Sequence, residues 1–231
     1  MVEMIAEEVP EAFFRLGQAF WPGPFTMIVR KKERVPESVS GGHQTIAIRM
    51  PSHPVALALI EAVGEPLVAP SANLSGKPSP TRIEDVLEDL NGSLVAAIDG
   101  GSCEVGIEST VLSLVHPVPT LLRPGAITKE QIEQVLQMKI AVGQKGEAAL
   151  SPGMKYRHYA PKAKIQIVEE LPPEARFVLS REMGTLNTHS FYSRLREADR
   201  KGVDLIWVLL DPISKLDEAL MNRLFRAAGQ L

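Results

Sequence analysis

The sequence predicts an α/β protein in two parts, and three observations carry that reading. Short apolar runs at 25–29, 45–50, 109–114 and 120–122 have strand length and are bounded by Gly and Pro. Helical patterns at 54–63, after Thr81 and after Thr128 lie between those runs. Beyond a polar, Gly-containing stretch, strand and helix alternate again to the C-terminal residues. The 231 residues suit one large domain or two modest ones. The break divides them into a first domain at 1–141, a linker at 142–161 and a small α/β domain at 162–231.

Each element has a local reason. Residues 2–20 read as helical from their first residues, with no leading strand. Leu16 and Phe20 share an i, i+4 face, and Pro10 suits the first turn of a second helix. Trp21-Pro-Gly-Pro24 stops it. Residues 30–42 form a charged loop, and 66–69 read as a short apolar strand. A loop of small and polar residues follows at 70–80. Thr81-Arg-Ile-Glu84 has the form of a capping box, so a helix is expected from 82 to about 90. Residues 94–98 read as a strand, and 109–114 with 120–122 as a hairpin. Thr128 and Gln131 cap another helix. Strands near 165–168, 177–179 and 205–210 and helices at 192–201 and 215–228 complete the second part. With about 70 residues, that part has a thin core of its own.

Composition narrows the class. Hydrophobic residues at 45% and charged residues at 23% are ordinary for a globular core, and aromatics at 5% leave aliphatic side chains to fill it. A net charge of −3 makes no global case for nucleic acid or membrane. Residues 151–231 are mildly basic, with 13 Lys/Arg against 10 Asp/Glu, which reads as a solvated surface before a polyanion site. No apolar run approaches the roughly 20 residues of a membrane span, and the first residues lack a signal-peptide pattern. Cys103, the lone cysteine, excludes a disulfide within the chain and fits a reducing cytoplasm. The histidines show no zinc spacing, so no protein-bound metal site is expected. No nucleophile motif is present, and no catalytic residue is assigned.

Four segments can carry chemistry. The loop Ala69-Pro-Ser-Ala-Asn-Leu-Ser-Gly-Lys-Pro-Ser-Pro-Thr81 offers the hydroxyls of Ser71 and Thr81, the Asn73 amide and the Lys77 charge between a strand and a helix. Residue types alone leave a plain Ser/Pro surface loop equally open. Arg49 and Arg123 close two strands, and alternation puts Thr45 on the face of Arg49. An arginine so placed can grip a carboxylate or phosphate with both arms, although surface ion pairs are common. Gly106-Ile-Glu-Ser-Thr110 adds Glu108 and Ser109. The linker Ser151-Pro-Gly-Met-Lys-Tyr-Arg-His-Tyr-Ala-Pro161 is more basic and aromatic than a spacer needs to be, through Arg157, His158 and Tyr159.

Taken in order, these segments resemble one family. Phe20-Trp-Pro-Gly-Pro-Phe-Thr26, Thr45-Ile-Ala-Ile-Arg-Met-Pro51, Ala69-Pro-Ser-Ala-Asn-Leu-Ser-Gly76, Gly106-Ile-Glu-Ser-Thr110 and Leu122-Arg-Pro-Gly125 are similar to the YrdC-type domain. The linker and the ending Met-Asn-Arg-Leu-Phe-Arg-Ala-Ala-Gly229 are similar to the long form of the threonylcarbamoyl-AMP synthases. The resemblance implies a YrdC-like twisted mixed sheet with a concave site, followed by a small Rossmann-like domain. It implies a cytoplasmic nucleotidyltransferase that turns L-threonine, bicarbonate and ATP into threonylcarbamoyl-AMP and pyrophosphate. A separate transferase then uses that product for threonylcarbamoyladenosine modification of tRNA. Mg2+ accompanies the ATP in this reading. By the same resemblance, Arg49, Ser71 and Ser109 bind threonine. Thr45, Asn73, Thr81, Arg123 and Tyr159 contact ATP, and Arg157 and His158 belong to a lid over the phosphates.

The resemblance also implies departures. The family's first strand, helix and basic stretch are expected before Val2, and their lack implies an open sheet edge and severe loss of adenylate formation. The second domain is shorter than usual between Leu171 and Tyr192. Two other readings remain at this point: a non-catalytic module binding nucleotide or double-stranded RNA, and a carbamoyl-transfer domain of hydrogenase-maturation type.

Overall fold

The computed structural model describes residues 1–143 and 159–230. Along the chain come α1 (Val2–Ile5), β1 (Ala6–Glu7), α2 (Glu11–Phe20), β2 (Phe25–Lys31), α3 (Glu37–Ser40), β3 (Thr45–Arg49) and α4 (Pro54–Val63). Next are α5 (Ile83–Leu90), β4 (Thr110–Ser113), β5 (Thr120–Arg123), α6 (Lys129–Leu136) and β6 (Ala141–Val142). The remainder holds β7 (Lys164–Val168), β8 (Val178–Ser180), α7 (Phe191–Arg200), β9 (Leu205–Leu209) and α8 (Glu218–Ala227). These gather into two compact units: Met1–Ala69 with 108–143, and Pro70–Ile107 with 159–230.

The first unit is built on a mixed six-stranded sheet centred on β2, which runs antiparallel to β1 and β3 and parallel to β4. β4 and β5 form the expected hairpin, and β6 adds parallel to β5. Strand alternation sorts the side chains of β2. Phe25, Met27 and Val29 join the core with Phe13 and Leu16 of α2 and Ile132 and Leu136 of α6. Ile28 turns to the other face, with Val111 and Leu122. Each large aliphatic side chain so buried contributes about 1.5–3 kcal/mol. Helix α4 starts with Pro54 at a first-turn position and ends at Gly64, whose φ of 74° supplies the left-handed C-cap.

The second unit carries the parallel sheet β7-β9-β8, covered by α7 and α8. Leu179, Phe191, Tyr192, Leu195, Ile206, Val208 and Leu224 form its core. Asp217 caps α8, accepting from Leu220 N–H at 2.9 Å. Residues 70–107, which the sequence assigns to the first domain, cluster in this unit, and two ion pairs are among their contacts. Arg196 of α7 bonds Asp89 of α5 at 2.7 Å, and Arg200 bonds Asp85 at 2.9 Å. Both carboxylates are buried.

Four local expectations are corrected. The runs 66–69 and 94–98 do not form strands. A strand needs a ladder partner, and theirs is missing among the described residues, so Val68 stays 67% exposed and Val95 fully exposed. The helix after Thr81 begins at Ile83 with Arg82 as N-cap and no side-chain cap. Thr81 instead donates its N–H to the Asp85 carboxylate at 3.2 Å, so the buried aspartate displaces the Glu84 capping box. The helical reading of 2–20 is interrupted by β1, because Ala6 and Glu7 pair with Lys31 and Arg30 at the end of β2. The Thr128–Gln131 capping box, by contrast, forms in both directions.

Candidate active site

In the first unit, the chemistry lies on the face of β2 turned away from α2 and α6. Thr26 shares that face with Ile28 and is the register partner of Arg49 on β3. Ile46 and Ile48 pack toward the helix-covered core, so Thr45 and Arg49 project to the opposite face, as alternation predicts. Trp21-Pro-Gly-Pro24 is the scaffold for Arg49. The Gly23 N–H donates to Met50 O at 2.9 Å, and the Gly23 carbonyl accepts from Arg49 Nε at 2.9 Å. A side chain at position 23 would put its Cβ 2.4 Å from Phe20 O, so only glycine allows this approach. A bond to a carbonyl orients a guanidinium without neutralising it.

Ser109 is 4% exposed and sits just before β4. Arg123, at the end of β5, donates from Nε to the Ser109 carbonyl at 3.0 Å and from Nη2 to the Ser109 hydroxyl at 3.2 Å. The Thr26 and Ser109 hydroxyls lie 2.6 Å apart. Thr110 keeps this corner fixed: its hydroxyl donates to Ile127 O at 2.7 Å and accepts from Ile127 N–H at 3.1 Å. Gly125 is required here as well, since a Cβ would meet Thr110 N at 2.4 Å. The result is a guanidinium, two linked hydroxyls and a second arginine assembled on one sheet, a donor set suited to an anionic or carbonyl-rich ligand.

In the second unit, Ser71 is exposed and Asn73 half-buried on the loop before α5. Asn73 Nδ2 donates to Leu74 O and Lys77 O at 2.9 and 3.3 Å, while its buried Oδ1 has no hydrogen-bond partner among the described residues. Lys77 is spent on structure, at 2.7 Å from Asp89. Burial alone would raise the Asp89 carboxyl. Hydrogen bonds from Arg196 and Lys77 outweigh it and hold the group below the usual carboxylate range. Thr81 is buried and accepts the Cys103 N–H on its carbonyl at 2.8 Å. Tyr159, with φ at 67°, packs its ring into the core of this unit. It lies 5.4 Å from Tyr192 and 5.9 Å from the Arg223 guanidinium. Arg157 and His158 lie outside the described residues.

Thr26 is the site residue that sequence reasoning missed. Its signal was a lone polar residue inside an apolar strand, at a position that alternation turns away from the core.

Fold and donor set together define a class: a mixed-sheet α/β domain followed by a small parallel α/β domain. The Sua5, yciO and yrdC family model, described as "Telomere recombination", matches residues 1–125. The threonylcarbamoyl-AMP synthase C-terminal domain matches 127–186 and 175–229. Threonylcarbamoyl-AMP synthase of Pyrococcus abyssi is 39% identical, covering 99% of this chain and 77% of the relative. The Bacillus subtilis protein of that name is 40% identical, covering 99% and 76%. The P. abyssi Sua5 structure complexed with L-threonine superposes with a TM-score of 0.88 at 37% identity, over 99% of this chain and 77% of that one. The chain belongs to the threonylcarbamoyl-AMP synthase family, in its two-domain form. The P. abyssi alignment runs over 261 positions, more than this chain's 231 residues, so the relative carries stretches that this chain lacks. Among the described residues, no helix is long and apolar enough to cross a membrane.

Proposed function

We infer that this chain is a cytoplasmic nucleotidyltransferase that forms threonylcarbamoyl-AMP from L-threonine, bicarbonate and ATP. The threonine amine takes up bicarbonate with loss of water to give a carbamate. A carbamate oxygen attacks the α-phosphorus, and the bond to pyrophosphate breaks. No side chain need form a covalent intermediate, so the work is positioning and stabilisation of phosphate charge. Mg2+ enters on the ATP phosphates, whose oxygens suit it. The product is a mixed anhydride, an activated donor that a separate transferase consumes in modifying tRNA.

Within the first unit, Arg49 is the grip for the threonine carboxylate, and its Nε bond to Gly23 fixes the plane of the fork. Ser109 adds a hydroxyl to threonine. Arg123, held against Ser109, and Thr45, on the face of Arg49, serve ATP. Within the second unit, Ser71 is a threonine contact, and Asn73, Thr81 and Tyr159 are ATP contacts, by correspondence with the family's motifs. The observation that carries this reading is the Arg123–Ser109–Thr26 hydrogen-bonded group beside Arg49, in a chain about 40% identical to named synthases. The test is pyrophosphate release by the full chain, with labelled bicarbonate followed into an adenylate. Release that needs threonine, bicarbonate and ATP together supports the function. Release indifferent to threonine sinks it.

A further inference from the structure

Count the protons at the Thr26–Ser109 contact. Two hydroxyls bring two hydrogens. Their separation of 2.6 Å is a hydrogen bond, and it consumes one. Arg123 Nη2 is only ever a donor, so it fills a lone pair of Ser109 Oγ. With Thr26 donating, Ser109 accepts twice and its own hydrogen is directed outward. With Ser109 donating, the outward hydrogen is on Thr26. Either way the pair offers one remaining hydrogen, and that hydrogen meets no acceptor among the described residues. A donor polarised by a neighbouring guanidinium favours an anionic acceptor. Thr26 is also the cross-strand partner of Arg49 on the same face.

We propose that Thr26 is a positioning residue for the amino-acid substrate: by donating its own hydrogen to Ser109 Oγ it turns the Ser109 hydrogen outward, to the threonine carboxylate held by Arg49. This rests on the synthase reading above. The role belongs to the hydroxyl and not to the methyl group, because only the hydroxyl reaches Ser109. Thr26 is half-buried in a central strand, where a β-branched replacement fits, so Thr26→Val removes the hydroxyl with little change of shape.

The experiment is calorimetric titration of the full chain with L-threonine, L-2-aminobutyrate and ATP, alongside thermal unfolding. Thr26→Val is expected to weaken threonine about tenfold, the size of one hydrogen bond to a charged group. The unfolding midpoint and ATP affinity stay as in the parent. Thr26→Ser restores threonine binding to within about twofold. In Ser109→Ala the further change Thr26→Val costs little, because Thr26 acts through Ser109. L-2-aminobutyrate, which keeps the carboxylate and lacks the β-hydroxyl, loses affinity in Thr26→Val by the same factor as threonine. A penalty for threonine alone would mean that the pair reads the hydroxyl, and the carboxylate assignment falls. Unchanged threonine binding in Thr26→Val, full additivity with Ser109→Ala, or a Thr26→Ser as weak as the valine variant overturns the proposal by itself. A parent chain that binds no threonine overturns it together with the synthase reading.

Discussion

In the first unit Arg49 and Arg123 bond neutral oxygens, whereas in the second Arg196, Lys77 and Arg200 bond buried carboxylates. Arg49 bonds the Gly23 carbonyl, and Arg123 bonds the Ser109 carbonyl and hydroxyl. Arg196 and Lys77 converge on Asp89, and Arg200 on Asp85. The residue types are the same and the consequences differ. A bond to a carbonyl orients a guanidinium without itself neutralising the charge. A buried carboxylate neutralises it, so the contact serves the fold. The comparison separates a binding surface from a structural joint where composition cannot.

The largest effect tests the structural side. Asp89→Ala leaves the buried Arg196 without its carboxylate, and removing one partner of a buried pair costs about 3–5 kcal/mol. Urea unfolding followed at Trp207, in the core strand β9, is expected to show that loss in the second unit. A shift no larger than that of a surface variant would break the contrast.

Next comes the binding side. Arg49 is exposed, so Arg49→Ala is expected to leave unfolding unchanged while threonine affinity falls between about tenfold and a hundredfold. Arg49→Lys keeps the charge and loses the fork, and it recovers only part of that loss. Calorimetry on both variants checks the order: parent, lysine, alanine.

Acid sharpens the comparison further. The Asp89 carboxyl lies below its ordinary value because hydrogen bonds from Arg196 and Lys77 overcome the burial that would raise it. Its stabilising contribution is therefore fully present above about pH 4, the unfolded carboxylate range. It is lost as pH falls through the lower folded value. Unfolding midpoints measured between neutral pH and strong acid are expected to drop in that window for the parent and more weakly for Asp89→Asn.

The sequence was most legible where a signal is local. The bounds of α4 follow from Pro54 and Gly64, and α6 from the Thr128–Gln131 box. The β4–β5 hairpin and the alternation of β3 were equally readable. It failed where the deciding partner is distant. Runs 66–69 and 94–98 have strand composition, but composition does not say whether a ladder awaits them. Thr81 precedes two acids, and its N–H goes to Asp85, which also bonds Arg200, 115 residues away. Thr26 could be read as a polar residue in an apolar strand. Its link to Ser109 spans 83 residues and belongs to the parallel pairing of β2 with β4. Lys77 looked like an anion ligand from its loop, and only Asp89 on the following helix shows that its charge is used.

The smallest effect probes whether stability and binding separate within the first unit itself. Thr128 Oγ1 accepts from Gln131 N–H at 3.3 Å, and Gln131 Oε1 accepts from Thr128 N–H at 2.8 Å. These two bonds satisfy donors that the first turn of α6 leaves open. Thr128→Ala is expected to cost about 1 kcal/mol, read as a lowered urea midpoint with unchanged slope. Ile132 and Leu136 of α6 pack behind the sheet, on the face away from Thr26 and Arg49, so threonine affinity should stay at the parent value. A fall in affinity would show that the cap sets the position of the sheet as well as its stability. The ligand face would then depend on the helices that cover the opposite side.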